Sequence, residues 1–172
     1  MTTPIDARPA IVAWGAWGVK NNAHFTYTEG AQRMAEIGHP GSLPVTCDCS
    51  AWVTLCYNWA GADDPNGQGY NHTGYTGTLL AHGTHIPLAQ VQPGDVVVYG
   101  AGTGVHAVLV YDTTNKSDPL CVSMGQQGDP HFVHDSVLRG LGAPTYLRFH
   151  TGTTRPVPVS YTHLTLPTIY SV

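Results

Sequence analysis

Apolar positions follow a helical period in the first third of the chain and short alternating runs later. Cys49, Trp52, Cys56 and Trp59 lie at i, i+3, i+7 and i+10, which places them on one helix face. Residues 11–21 and 30–37 predict two earlier helices, and 78–82 a helical turn. Strands are predicted over 96–99, 106–112, 120–124 and 145–150, with turns at 92–95, 100–104 and 113–118.

The main predicted helix covers residues 51–60 and has clear end signals. Asp48 is a good N-cap because its carboxylate can accept a hydrogen bond from the first turn, and Gly61 suits the position after the last turn. Residues 62–77 read as a long loop. Helices followed by hairpin-connected strands predict an α+β fold, with N-terminal helices packed on a small antiparallel sheet.

Length and charge limit the classes of function. The 172 residues fit one domain with its own core. The net charge is −4 and the seven Lys and Arg residues are scattered, so we expect no nucleic acid and no acidic membrane surface as partner. The apolar stretch 10–19 is too short to span a membrane and no secretory leader is visible, so we expect synthesis in a cytoplasm and no membrane insertion. A monomer is the default expectation.

Four cysteines, at positions 47, 49, 56 and 121, are expected to be free thiols because no export signal is visible. A Cys-x-Cys metal pair at 47 and 49 is the alternative. It requires two more ligands at short spacing, and the sequence offers no second Cys/His pair of that kind. We therefore expect neither a metal ion nor a cofactor.

The end of the chain changes character. From residue 151 it is rich in Thr and Pro, with no pattern that could bury a face. We therefore place the folded domain at 1–150 and a disordered tail at 151–172. Residues 159–168 resemble a translated sequencing adaptor, which predicts that the chain from about 159 is an artefact and that the natural protein continues differently. A genuine polar tail is the alternative, and His163 has no functional weight under either interpretation.

Asp48, Cys49 and Ser50 place an acid, a thiol and a hydroxyl at the start of the main helix. A thiol in the first turn of a helix faces unpaired backbone N–H groups and the positive end of the helix dipole. Both favour the thiolate, which is the reactive form. Cys49 is therefore the candidate nucleophile, whereas Cys47 precedes the cap and has no such position.

A thiol that attacks an amide at neutral pH needs a base, and histidine is the usual one. His106 is the best placed of the ten histidines, because it begins a predicted strand directly after a glycine-rich turn. It shares a strand face with Val108 and Val110, so it continues a core face at the rim, where we expect the helix N-terminus. A purely structural histidine at a strand start is the alternative.

Several segments carry a resemblance to a known family. Residues 48–53, Asp-Cys-Ser-Ala-Trp-Val, resemble the Asp-Cys-Ser-Gly-aromatic-Val segment of the NlpC/P60 cysteine peptidases. Residues 93–99 and 106–111 resemble the Gly-Asp, strand, hairpin, His, strand segment of the same family, in the same order and spacing. The stretches 54–67 and 74–80 are similar to the peptidase domain of actinobacteriophage endolysins, and the likeness covers about residues 10–150.

The resemblance implies a papain-like NlpC/P60 fold and hydrolysis of the stem peptides of bacterial peptidoglycan. It carries Cys49 over as the nucleophile and His106 as the base. Tyr27 matches a tyrosine that lines the substrate groove, although a half-buried surface tyrosine is an equal alternative. The flanking residues Asp48 and Ser50 are expected to contact the substrate, and backbone N–H groups at the helix start to form an oxyanion hole.

The resemblance also implies a third polar residue that orients the histidine. Similar phage enzymes are expected to have Ser-His-Gly on the next strand, but here Met124 replaces that histidine, and a thioether accepts no useful hydrogen bond from an imidazole. We predict Gln126 for this role, two residues further on. Ser123 is a weaker candidate because strand alternation would turn it away, and His131 is possible if the strand ends early.

In the long loop, Tyr75 is expected to contact substrate, with a merely solvated loop as the alternative. Together these residues predict a phage endolysin, a cell-wall lytic cysteine peptidase made in the host cytoplasm and released through a holin-type membrane hole. A peptidoglycan-binding module with degraded catalysis is the second interpretation. A thiol amidase or acyltransferase on the same fold is the third, and a Cys/His zinc protein the fourth.

Overall fold

The computed structural model describes residues 5–153. Within that range the helices are α1 (Arg8–Lys20), α2 (Cys49–Trp59), α3 (Thr76–His82) and α4 (Asp135–Leu138). The strands are β1 (Ile5–Asp6), β2 (Phe25–Tyr27), β3 (Val45–Cys47), β4 (Thr84–Ile86), β5 (Val96–Tyr99), β6 (His106–Asp112), β7 (Leu120–Ser123), β8 (His131–His134), β9 (Pro144–Arg148) and β10 (Gly152–Thr153).

Six of these strands form one antiparallel sheet in the order β4-β9-β5-β6-β7-β8. Its central strands are joined by short hairpins, which agrees with the turns predicted from the sequence. Two small pairs complete the β-structure, β1 with β10 and β2 with β3. The predicted α+β fold, with N-terminal helices packed on an antiparallel sheet, is confirmed.

Helix α2 is the buried centre of the fold and forms as its end signals predict. Asp48 accepts a hydrogen bond from the Ala51 N–H at 2.7 Å, and Gly61 ends the helix with a φ of +73°. Trp52 and Trp59 are almost fully buried, against α1 on one side and the sheet on the other. The position of the helix N-terminus is therefore fixed by packing along the whole helix.

Both faces of the six-stranded sheet are covered, whereas helices on one side only were predicted. Ala107 and Leu109 of β6 lie in the larger core together with α1 and α2. Val108 and Val110 point to the opposite face, into a second cluster against which Leu138 of α4 also packs. The valine-rich strands are thus buried on both sides, which explains their nearly continuous apolar runs.

Some predicted elements differ from the structure. Residues 30–37 form successive turns rather than a helix, and the short strands β2, β4 and β8 were not predicted. Residues 152–153 pair with β1, and Thr151 accepts a hydrogen bond from Ala7 N–H at 2.9 Å, so the folded part extends slightly past the predicted limit at 150. The predicted adaptor-like segment from 159 lies outside the described residues.

Between residues 5 and 153, the chain has no helix with the length and apolar character needed to cross a membrane.

Candidate active site

Cys49 is the first residue of α2 and lies at the wall of an open cleft. The residue is 9% exposed, so its thiol is reached only from this cleft. The cleft has a volume of about 240 Å³. It is lined by Tyr27, Glu29, Arg33, Asp48, Cys49, Ser50, Tyr75, Thr76 and Val105, which include every residue predicted from the sequence to contact substrate.

The thiol of Cys49 meets the backbone of β6. The N–H group of Ala107 is directed at the sulfur, as are those of Ser50 and Cys49 itself, and all three lower the pKa of the thiol. Burial and the Asp48 carboxylate act in the opposite direction and raise the pKa of Cys49 to about 11. The expected preference for the thiolate is therefore outweighed by burial, which favours the neutral thiol.

His106 lies directly before Ala107, whose N–H group acts on the Cys49 thiol. The imidazole ring of His106 is held by residues of the two neighbouring strands, β5 and β7. Its Nε2 lies 2.8 Å from Ser123 Oγ, and Tyr99 stacks beside the ring at a centroid distance of 6.4 Å. Since Nε2 is engaged by Ser123, Nδ1 is the ring nitrogen that this contact leaves unused. Burial lowers the pKa of His106, and the Asp129 carboxylate raises it, so a neutral imidazole is favoured at pH 7.

Ser123, rather than Gln126, is the side chain that holds the imidazole. The register of the sheet pairs Val108 with Ser123, so Ser123 shares the face of His106, and Met124 turns into the opposite core. The argument that strand alternation turns Ser123 away was therefore wrong. Gln126 lies in the exposed loop beyond β7, where its backbone N–H donates to Asp129, and the structure gives it no contact with His106.

Asp48 and Ser50 are tied to a cation that sequence reasoning missed. Arg33 lies in the turns after β2, and its Nη1 is 3.2 Å from Asp48 Oδ2 and 3.4 Å from Ser50 Oγ. Its Nη2 donates to the Gly74 carbonyl of the long loop. Arg33 thus connects the turns after β2 and the long loop that contains Gly74 to the start of α2. The segment 30–37 was interpreted as a helix, which concealed this role.

Tyr27 and Tyr75 lie on the walls of the cleft. Tyr27 is partly buried, and its hydroxyl donates to Glu29 Oε1 at 3.0 Å. Tyr75 is 44% exposed and forms the N-cap of α3. Both positions fit the predicted contact with substrate, which stays a prediction. The cleft carries the carboxylates of Glu29 and Asp48 against the single guanidinium of Arg33.

The site offers no metal centre. Between residues 5 and 153, no three His, Cys, Asp or Glu side chains are grouped so that they could hold an ion. All four cysteines are free and buried.

The profile of the NlpC/P60 family matches residues 30–143, the segment that carries the thiol, the imidazole and its hydroxyl partner. The chain belongs to the NlpC/P60 family. The expected family and its fold are thereby confirmed. Among curated protein sequences none matches the chain significantly.

Solved NlpC/P60 structures share this fold at low identity. The NlpC/p60 domain of the peptidoglycan hydrolase SagA is 19% identical, with a TM-score of 0.53 over 83% of this chain and 98% of that one. Rv1477, a hypothetical invasion protein of Mycobacterium tuberculosis, is 22% identical with a TM-score of 0.52, over 83% of this chain and 62% of that one. RipD of M. tuberculosis, described as a non-catalytic NlpC/p60 domain protein adapted to peptidoglycan binding, is 16% identical with a TM-score of 0.50, over 85% and 99%.

Proposed function

We propose that this NlpC/P60 domain is a cysteine endopeptidase that hydrolyses the stem peptides of bacterial peptidoglycan. The observation that carries the proposal is the meeting of α2 with β6. The backbone N–H of Ala107 acts on the Cys49 thiol, and His106, the residue directly before Ala107, has its Nε2 2.8 Å from Ser123 Oγ. A thiol at a cleft wall and an oriented imidazole on the neighbouring strand are the two groups that acyl transfer needs.

The mechanism starts from a neutral pair. As the sulfur attacks the peptide carbonyl, Nδ1 of His106 accepts the thiol proton, and the developing oxyanion is stabilised by backbone N–H groups at the start of α2. The imidazolium then protonates the leaving amine, which breaks the C–N bond and leaves a thioester on Cys49. Water, deprotonated by His106, hydrolyses the thioester and releases the acid.

We further propose that the domain acts as a phage endolysin. The support is the resemblance of residues 54–67 and 74–80 to actinobacteriophage peptidase domains. In that role the enzyme is made in the host cytoplasm, reaches the bacterial cell wall after a holin-type protein opens the membrane, and works as a monomer without a cofactor.

A second candidate function, peptidoglycan binding without catalysis, is favoured by two observations. The pKa of the Cys49 thiol is raised to about 11 by burial, and the partner of His106 is the neutral hydroxyl of Ser123 rather than a charged or basic group. RipD shows that a domain of this fold has been described as non-catalytic. The proposed cleft would then hold the stem peptide without cutting it.

Digestion of defined muropeptides with mass-spectrometric readout separates these functions. We expect wild type and the control Cys121→Ala, which removes a buried thiol outside the cleft, to add water across one peptide bond, and Cys49→Ala to add none. Wall pelleting of the same proteins measures binding. Binding by all three without any cleavage would establish the binding module instead, and products with an added acyl group in place of water would establish an acyltransferase.

A further inference from the structure

A row of polar side chains continues behind His106 across the neighbouring strands. His106 on β6 contacts Ser123 on β7, and Ser123 is paired in register with His131 on β8. The Nδ1 of His131 lies 2.7 Å from Asp129 Oδ1. The row therefore ends at a carboxylate that is only 5% exposed.

Asp129 also closes the loop that follows β7. Its Oδ2 accepts hydrogen bonds from the Gly125 N–H at 2.8 Å and the Gln126 N–H at 3.1 Å. His131 Nδ1 lies at the other oxygen, so both oxygens of the carboxylate are engaged, one of them by two backbone N–H donors. One side chain thus fixes both the backbone at Gly125 and the ring at the start of β8.

The loop held by Asp129 lies directly against the imidazole. A methyl group on Gly125 would meet His106 Cε1 at 3.3 Å and Asp129 Oδ2 at 3.7 Å. A methyl group at this one position would therefore touch both the ring and the carboxylate, so Gly125 lies beside both. The Asp129 carboxylate raises the pKa of His106, as a nearby negative charge does.

We propose that Asp129 is a positioning residue of the active site, which holds the 125–129 loop against His106 and stabilises its imidazolium form during proton transfer. Asp129 does not touch the reacting atoms and acts through His106. The kinetic consequence rests on the proposed peptidase function, whereas the effect on the imidazole itself does not.

Other groups act on the same ring. Tyr99 stacks on it from β5, Asp48 acts on it from the N-cap of α2, and His131 is paired with Ser123 on β8. The Asp48 carboxylate favours the protonated ring in the same way as Asp129, while a positive charge on His131 opposes it. The contribution of Asp129 is therefore measured with Asp48 left in place.

Asp129→Asn removes the charge and preserves the shape. The amide oxygen can accept from the two backbone N–H groups, and the amide nitrogen can donate to the other tautomer of His131. Asp64→Asn is the matched control, because Asp64 is another buried carboxylate that closes a loop by accepting from the backbone N–H groups of Asn66, Gln68 and Tyr70.

The decisive measurement is NMR titration of the His106 ring in each variant. We expect Asp129→Asn to move the midpoint to lower pH by about one unit, since a neighbouring negative charge is lost. Asp64→Asn is expected to leave the midpoint unchanged, and His131→Gln to move it to higher pH, since an opposing positive charge is removed. An unchanged His106 midpoint in a folded Asp129→Asn protein would overturn the proposal.

The kinetic readout follows from the same shift. A less basic imidazole lowers kcat of muropeptide cleavage by about threefold to tenfold at pH 7.5, with KM unchanged. If wild type cleaves nothing, the peptidase function fails while the titration still decides the role of Asp129. A loss of kcat in Asp129→Asn that is matched by Asp64→Asn, with no titration shift in either, would assign Asp129 to loop structure alone.

Discussion

Ser123→Thr and Ser123→Val differ by one hydroxyl and test the orientation of the imidazole. Threonine keeps the oxygen that lies 2.8 Å from His106 Nε2, whereas valine replaces it with a methyl group of similar size. Both variants add the same branch at a strand position that is 2% exposed. Any strain caused by the added branch is therefore shared, and the difference between the two isolates the hydroxyl.

The expected size of the effect follows from the burial of the ring. His106 is 8% exposed, so valine leaves its Nε2 without a partner and with little access to water. An unsatisfied buried polar group costs about 1–3 kcal/mol. Loss of the hydroxyl also removes the hydrogen bond that selects the tautomer of the His106 ring. At about 1.4 kcal/mol per factor of ten, we expect kcat/KM of Ser123→Val to be about tenfold to a hundredfold below that of Ser123→Thr.

Initial rates on one purified muropeptide, measured for both variants from pH 5.5 to 9, check this expectation. Thermal unfolding of the same samples serves as the control for stability. Equal kcat/KM for the two variants across the whole pH range would refute the assignment of Ser123 as the residue that orients His106, and would return that role to another group in the loop beyond β7.

Three further predictions concern the helix and the thiol. Asp48→Ala removes the N-cap of α2 and is expected to lower the free energy of unfolding by about 1–2 kcal/mol in urea melts. Asp48→Asn should stay closer to wild type, and equal losses in the two variants would contradict a capping role. Gly18→Ala is expected to cost about 1–3 kcal/mol because its methyl group would collide with the ring of Trp52. Gly140→Ala, with open space around it, should melt like wild type. Alkylation of Cys49 by iodoacetamide should rise with pH toward its pKa of about 11, and a plateau below pH 8 would instead indicate a resting thiolate.

The sequence alone predicts the parts of this fold whose signals are local. The N-cap at Asp48, the glycine after α2 and the strands β5 and β6 between their turn signals depend on residues close together in the chain, and the structure has each where it was expected. Residues 30–37 show the limit of such signals. Their apolar spacing favours a helix, but the chain turns repeatedly there, and Arg33 binds Asp48, Ser50 and Gly74 across the cleft. Those partners are distant in sequence, so no local pattern could show them.

The third position of the site was missed for a related reason. Which residue of β7 faces His106 depends on the register between β6 and β7, and a one-residue slip exchanges Ser123 with Met124. Spacing along one strand does not fix that register, because the pairing of β6 with β7 shifts between Val110 and Asp112. Gln126 was chosen on the assumption that the strand and its alternation continued, whereas β7 ends at Ser123.

The two pKa directions at the site describe one chemical state. A pKa of about 11 for Cys49 and a lowered pKa for His106 both favour the uncharged pair over a thiolate and an imidazolium. In the proposed peptidase, charge would therefore separate only as the sulfur attacks. Backbone N–H groups of Ser50 and Ala107 face the sulfur, while the carboxylates of Asp48 and Asp129 favour a protonated ring. The raised pKa of Cys49 favours the binding module unless these groups offset it as the sulfur attacks, so cleavage of defined muropeptides decides between the two functions.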